Sequence, residues 1–165
     1  MTRNHNSNNY YNRDGGYRQY QKHPDDRKSD NRQQEQNPIV AKPLPADYVD
    51  AAEKVIQKVI QADVGLITTS KLRNLLSLFV DVYNTENLLT GDELQPASVN
   101  ALTMARIRML YEAGRDRVKV KKFIEAADLL PYLKDIGKSR TKMINYYHYL
   151  EALVAYHKYY EGREN

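Results

Sequence analysis

The sequence predicts an all-α protein, a compact bundle of about five helices with a disordered N-terminal tail. From residue 46 onwards, apolar residues recur at spacings of three and four, which is the period of one face of a helix. No segment alternates between apolar and polar residues over several positions, as a half-buried strand does. With 165 residues, the chain has room for one ordinary domain.

The tail is set apart by its composition. Residues 1–37 contain no Val, Ile, Leu or Phe, so they bury too little apolar surface to offset the entropy cost of ordering. Residues 38–45 (PIVAKPLP) form a stiff, proline-spaced lead-in. We therefore divide the chain into a tail and linker, 1–45, and a helical domain, 46–165. The tyrosines of the tail lie among arginines and are suited to weak contacts with nucleic acid, although a solvated tail is the simpler interpretation.

Breaks and caps predict the helices in order. Asp47 begins the first helix and Gly65 can end it, and Thr68 or Thr69 caps the second. Pro96 suits the first turn of a third helix, which spans 98–114. A fourth helix spans 117–130 and ends at Pro131, and Ser139 caps a long last helix that reaches residue 162.

The sequence lacks the residues and motifs that several kinds of catalytic, metal-binding and membrane-spanning sites require. The absence of cysteine excludes disulfides, thiolate metal sites and cysteine nucleophiles. His148 and His157 are nine residues apart on one helix, so they lie on opposite faces, and His157 is expected in the core. We find no Gly-rich phosphate loop, HExxH motif or nucleophile elbow, no apolar run long enough for a membrane span, and no secretory signal. These observations predict a soluble, cytoplasmic protein that is not an enzyme and has no cofactor or metal.

Positive charge is concentrated in one part of the chain. Residues 38–97 carry 5 basic and 8 acidic side chains, a net charge of −3, whereas residues 98–142 carry 11 basic and 5 acidic, a net charge of +6. Clustered Lys and Arg are typical of proteins with a phosphate-bearing partner, and a solvated helix face is the alternative.

The third helix places part of this charge on one surface. Its apolar stripe is predicted to comprise Val99, Leu102, Met109, Leu110 and Ala113. Arg108, Tyr111 and Arg115 fall on the opposite side, at spacings of three and four, with Met104 one turn before them. Arginine can grip a phosphate with two donors and tyrosine can stack on a base, so this ridge is suited to RNA. An exposed face paired with acids such as Glu112 is an equally good interpretation.

The remaining candidates are cations of less specific geometry. After Gly114, basic residues alternate with apolar ones and form a diffuse positive field, and others lie in the first turns of the second and last helices, where free N–H groups favour anions. The predicted RNA-binding residues in these places are Lys119, Lys121, Lys122, Lys138, Arg140, Lys142, Lys71 and Arg73.

Two features suggest a neighbouring subunit. Arg106 falls within the apolar stripe of the third helix, so it snorkels outwards, pairs with a buried acid or faces another subunit. On the last helix, Tyr149, Tyr156 and Tyr160 form a second apolar stripe beside the first. A second stripe favours contact with another subunit, and a thick core within one chain is the alternative.

At this point a family resemblance becomes clear. The runs ITTSKLRNLL (67–76), RIRMLYEAGRD (106–116) and LEALVAYHKYYEG (150–162) resemble those of the small subunit of type III-A CRISPR Csm effector complexes, in the same order and at similar spacing. The resemblance covers about residues 46–162, and residues 1–37 lie outside it. The basic motif residues of the family correspond to Arg73, Arg108 and Arg115, and Tyr111 and Gly114 complete the second motif.

The resemblance implies an all-helical, non-catalytic protein. It implies that several copies stack head to tail beside the backbone subunits, along the duplex of guide RNA (crRNA) and target RNA. Target cleavage would belong to the backbone subunits, and DNA cleavage and cyclic-oligoadenylate synthesis to the large subunit.

The hypothesis at this stage is an RNA-binding structural subunit of a type III-A ribonucleoprotein in antiviral defence. Its expected partners are the crRNA–target duplex, other copies of itself, and the backbone and large subunits, with no membrane. The alternatives are a helical DNA-binding regulator that reads with its third and fourth helices, a protein adaptor whose basic face meets acidic partners, and an enzyme of unknown type.

Overall fold

A computed structural model describes residues 38–62 and 67–161, so the tail predicted over 1–37 lies outside the described residues. The described part is all-α and contains no strand, which confirms the predicted fold class. It has six helices, one more than expected. They are α1 (Tyr48–Gln61), α2 (Thr69–Glu86), α3 (Pro96–Arg115), α4 (Val120–Ala126), α5 (Leu129–Asp135) and α6 (Arg140–Glu161).

Helix α6 is the centre of the bundle. It packs against α1, α2 and α5, while α3 lies against α2 and α4. Its side chains Met143, Leu150 and Leu153 are fully buried. Because α6 meets neighbours on several sides, its apolar residues are not confined to one stripe, unlike those of a helix that packs once.

Local signals set three of the helix starts as predicted. The Thr68 hydroxyl accepts a hydrogen bond from the N–H of Lys71 (3.3 Å) and caps α2. Pro96 is in the first turn of α3. The Ser139 hydroxyl accepts from the N–H of Lys142 (3.2 Å) at the start of α6. Each satisfies or removes a backbone donor that a helix terminus leaves unpaired.

The predicted fourth helix is wrong in its extent, because the chain breaks it in two. Asp128 adopts a left-handed conformation with φ 49°, which ends the run of helical residues after α4. Pro131 then lies in the first turn of α5 and does not end a helix. A proline is tolerated there, since the first-turn N–H groups have no partner within the helix.

The apolar stripe of α3 is rotated slightly from the predicted one. The buried residues of this helix are Ser98, Leu102, Ala105, Met109 and Ala113. Leu110, which we expected in the core, is 43% exposed. The correction matters because it turns the opposite face of α3, with Arg108 and Tyr111, fully outwards.

We had expected Tyr149 to lie in a subunit interface, and this prediction is wrong. Its ring is 1% exposed, and its hydroxyl donates to the carbonyl oxygen of Ala127 at 3.0 Å. Burial raises the pKa of Tyr149, so the hydroxyl stays protonated and remains a donor. This tyrosine is part of the core of its own chain, which was the alternative interpretation of the second stripe.

His157 is the buried core histidine that the helical spacing predicted. It is 1% exposed, with its Nε2 2.7 Å from the carbonyl oxygen of Ile67 and its Nδ1 3.2 Å from the Thr69 hydroxyl. A carbonyl oxygen can only accept, so the Nε2–H donates to Ile67. The histidine thereby fastens α6 to the residues that lead into α2.

Candidate nucleic-acid interface

The predicted ridge on α3 exists as an exposed surface. Tyr111 is 67% exposed, and Arg108 and Arg115 are exposed beside it. All three line one groove, together with Lys71 from the first turn of α2. The prediction from helical periodicity that these side chains share a surface is therefore confirmed, although their contact with RNA stays a prediction.

The groove runs between α2 and α3 and has a volume of about 300 Å³. Helix α2 also supplies the polar side chains of Asn74 and Ser77 and the apolar ones of Leu75 and Leu78, and Val120 of α4 is part of the lining. Only one acid, Glu112, is among the described residues that line it. A concave, amphipathic wall with several cations suits a polyanion with flat apolar rings.

Two of the groove cations already have acidic partners. Arg115 Nη2 lies 2.6 Å from Glu112 Oε2, at the surface. The Lys71 ammonium pairs with Asp116, whose other oxygen accepts the N–H of Lys119 at 2.9 Å. These hydrogen bonds lower the pKa of Asp116 to about 2, and the one from Lys71 has the larger effect.

Arg108 is the cation of the groove that has no ion pair within the described part of the chain. Exposed ion pairs are worth only about 0–1 kcal/mol, so a phosphate can displace Glu112 from Arg115 at little cost. The groove thus offers one uncommitted guanidinium and a second that is easily released. The alternative interpretation, in which acids neutralise this face, holds only in part, because Glu112 pairs with Arg115 but not with Arg108.

The lysines that follow α3 do not line this groove. Lys119, Lys121 and Lys122 lie at or near the start of α4, and Lys121 is 3.5 Å from Glu125. Lys119 and Lys122 line a separate pocket between α1 and α4. Arg73 is exposed on α2 but is not part of the groove lining. The diffuse positive field is therefore spread over at least two recesses.

The cations near the start of α6 are separated by the fold. Lys138 is exposed, and Lys142 Nζ lies 3.0 Å from Asp135 Oδ2. The helix terminus itself is occupied, because Asp92 Oδ1 accepts from the N–H of Thr141 at 2.9 Å. An anion-binding site at this terminus is thus already filled by a carboxylate of the same chain.

Arg140 is buried and is not a surface contact for RNA, contrary to expectation. Only 4% exposed, it places Nε 2.7 Å from Glu86 Oε2. Its Nη1 donates to the carbonyl oxygens of Thr90 (2.6 Å) and Gly91, and its Nη2 to that of Glu93 (2.6 Å). The guanidinium therefore organises the connection between α2 and α3.

The carboxylate partner is equally enclosed. Glu86 has no exposed surface, and its second oxygen accepts the N–H of Gln95 at 3.1 Å. Burial by itself raises the pKa of Glu86, but hydrogen bonds from Ser98, Arg140 and Gln95 outweigh it and leave the pKa below its ordinary value. The pair is therefore charged and fully hydrogen-bonded, as a buried pair must be.

The other predicted interface residues have mixed positions. Tyr156 and Tyr160 are half-buried, and the Tyr160 hydroxyl donates to Glu53 of α1 at 2.5 Å. Arg106 is half-exposed, and within the described ranges it pairs with no acid, buried or exposed. Contact of these three side chains with another subunit stays a prediction.

Sequence reasoning missed two exposed apolar residues of α3. Ile107 and Leu110 are 51% and 43% exposed, beside Tyr111. Met104, which helical periodicity placed one turn before the ridge, is 52% exposed, as predicted. They give the ridge an apolar component. The signal was present, since a stripe of Leu102, Ala105, Met109 and Ala113 would have turned Ile107 outwards.

The described ranges show neither a metal site nor a membrane helix. In residues 38–62 and 67–161, no three or more His, Cys, Asp or Glu side chains are grouped so as to hold an ion. Of the helices that the structure describes, none has the length and apolarity to cross a bilayer.

Comparison with known proteins places the chain in a family. The profile of the Csm2 type III-A family matches residues 43–163. The CRISPR system Cms protein Csm2 of Streptococcus thermophilus is 39% identical over 120 residues, which cover 72% of this chain and 94% of that protein. The protein of the same name from Mycobacterium tuberculosis H37Rv is 34% identical over 119 residues, again 72% and 94%.

A third relative, the Csm2 protein of Enterococcus italicus, is 36% identical over 100 residues, which cover 57% of this chain and 68% of that protein. Residues 43–163, which the family profile matches, contain all six described helices, the groove and the buried Glu86–Arg140 pair. The resemblance seen in the three sequence runs is thereby confirmed. The chain belongs to the Csm2 type III-A family, the family of the small subunit of the Csm complex.

Proposed function

We propose that this chain is a non-catalytic RNA-binding subunit of a cytoplasmic type III-A ribonucleoprotein. In this proposal, several copies lie along the duplex of crRNA and target RNA, in contact with one another and with the backbone and large subunits. The α2–α3 groove holds the sugar–phosphate backbone and thereby stabilises target binding in antiviral defence. Contacts of this kind fix position and carry no sequence information.

The observation that carries the proposal is the convergence of Lys71, Arg108, Tyr111 and Arg115 on one groove with a single acid in its described lining. Two helices that are separate in sequence contribute to it, so chance periodicity of one helix does not account for it. Family membership supports the same conclusion, because the Csm2 relatives are named as proteins of CRISPR systems.

A single copy offers few phosphate contacts, so we expect its binding to be weak and to fall steeply with salt. Several copies aligned on one duplex act as a multivalent ligand and gain affinity through effective concentration. This explains how a groove with one uncommitted arginine can still contribute to tight binding in an assembly.

The test is the double variant Arg108→Ala/Arg115→Ala, measured against a crRNA–target RNA duplex over a range of salt concentrations. We expect affinity to fall about tenfold or more at low salt and the slope of log K against log salt to decrease by about 1.5–2 units. The control is Lys54→Ala/Lys158→Ala, which removes the same charge from exposed positions on α1 and α6.

Equal losses in both double variants would show that only net charge matters, and the groove would have no special role. Unchanged affinity in the arginine variant would refute the proposal. Equal or tighter binding to a duplex DNA of defined sequence would favour the DNA-binding regulator. Circular dichroism of each variant verifies that helicity is retained.

A further inference from the structure

A second recess lies between α1 and α4, separate from the groove. It has a volume of about 330 Å³, at the lower end of the range of small-ligand pockets, about 300–1,000 Å³. Its floor is formed by the buried side chains of Val59, Ile67 and Phe123, and it is partly open to solvent. The recess therefore offers an apolar surface large enough for an aromatic ring.

Lysines surround this apolar floor. Lys58 from α1 and Lys119 and Lys122 from the start of α4 all line the pocket and are exposed. Within the described residues, none of the three is in an ion pair, whereas Lys121 lies 3.5 Å from Glu125. No carboxylate is among the described lining residues. An apolar floor inside a positive rim matches a ligand with a flat ring flanked by negative charges.

The pocket and the groove are joined by α4. Val120 lines the groove, and Phe123, one turn later on the same short helix, lines the pocket. The preceding turn is held by Asp116, which accepts from the N–H of Lys119 and pairs with Lys71 of the groove. A strand that follows the groove past the start of α4 therefore meets the lysines of the pocket next.

We infer that the α1–α4 pocket receives one unstacked base of an RNA strand whose backbone lies on the α2–α3 groove. Lys58, Lys119 and Lys122 face the phosphates on either side of that base. The inference rests on the proposed function and adds a base contact to it. Because the floor presents hydrocarbon and no polar side chain, it holds the face of the base and leaves its edge in water, so any base is accepted.

The experiment uses the full-length protein and two RNA probes of equal length and charge, an oligoadenylate and the same backbone with abasic positions. Ala126 lines the pocket, and Ala126→Leu fills it. Ala101→Leu, at an exposed position of α3, is the matched control. We expect the unaltered protein and the control to bind the oligoadenylate at least about fivefold more tightly than the abasic probe. The Ala126→Leu variant should lose most of this preference.

A second variant, Lys58→Gln/Lys122→Gln, keeps the pocket shape and removes charge from its rim. We expect it to bind both probes more weakly than the Lys54→Ala/Lys158→Ala control. If Ala126→Leu lowers helicity, the comparison of these two lysine double variants replaces it as the test. Equal RNA affinities of the two double variants would overturn the inference.

Other outcomes separate this inference from the proposed function. If Ala126→Leu keeps the preference for the base-bearing probe, or if the unaltered protein has none, the pocket does not bind a base. The proposed function survives that result when Arg108→Ala/Arg115→Ala still weakens both probes. Loss of co-assembly with the other Csm subunits, with RNA affinity unchanged, would assign the pocket to an acidic protein segment and also overturn the inference.

Discussion

Replacing Arg140 by alanine should destabilise the protein without removing a contact to RNA. The side chain is 5% exposed and the Glu86 carboxylate 0%, so the substitution leaves a buried charge without its partner. Removal of one member of a buried pair typically costs about 3–5 kcal/mol. The carbonyl oxygens of Thr90, Gly91 and Glu93 lose their donors as well, which places the expected cost in the upper part of that range.

The expected change in melting temperature follows from the size of the domain. For roughly 120 folded residues, the unfolding entropy corresponds to about 4 °C per kcal/mol, so a cost of about 4–5 kcal/mol for Arg140→Ala should lower the Tm by about 16–20 °C. Scanning calorimetry at neutral pH measures this directly. Lys138→Ala, two residues earlier and exposed, removes the same charge and should change the Tm by no more than about 2 °C.

The double variant Glu86→Leu/Arg140→Met completes the test, because it removes both charges together. It should recover part of the lost stability, since a buried pair replaced by apolar residues often costs little. A loss below about 1 kcal/mol for Arg140→Ala would refute the interpretation of this pair as a buried structural element. So would RNA affinity that falls in Arg140→Ala under conditions in which the variant is fully folded.

Two further outcomes follow from other residues. Asp116→Asn should destabilise the protein at neutral pH. Because the folded-state pKa is lowered to about 2 from 3.8, the advantage of the unaltered protein is complete above about pH 4 and disappears as the pH falls towards 2; urea unfolding across that range checks it. Gly114→Ala should stabilise the protein by about 0.5–1 kcal/mol, because the residue is helical and an added Cβ meets nothing within 4 Å. Lower RNA affinity in that stabler variant would indicate close backbone approach at Gly114, and reduced stability would contradict the geometry.

The parts of the fold that sequence predicted are those that local chemistry determines. Thr68 and Ser139 satisfy backbone donors within three residues of themselves, and within a helix Pro96 is tolerated in the first turn but not in the interior. The split between α4 and α5 was missed because Asp128 adopts φ 49°, a conformation that costs energy locally. Its carboxylate pairs with Lys42, 2.5 Å away and 86 residues earlier in the chain, so this contact was not visible in the local sequence.

The candidate site was predictable only as far as one helix extends. Periodicity along α3 placed Arg108, Tyr111 and Arg115 on one surface, and the structure confirms this. The burial of Arg140 could not be predicted, because its partner Glu86 is 54 residues away in sequence. A lysine or arginine in the first turn of a helix is usually exposed, so tertiary context overrode the general expectation.

The alternation of basic and apolar residues after α3 has a structural reason that also explains the position of the charge. Val120 and Phe123 are buried, which anchors the short helix α4 to the core, and the lysines between and before them are forced outwards. Because Val120 lines the groove and Phe123 lines the pocket, the anchoring residues also separate the two recesses. Lys119 and Lys122 therefore lie at the rim of the pocket, next to the groove. The alternation of buried and basic residues thus anchors the seven-residue helix α4 and also extends the positive surface of α3 towards α1.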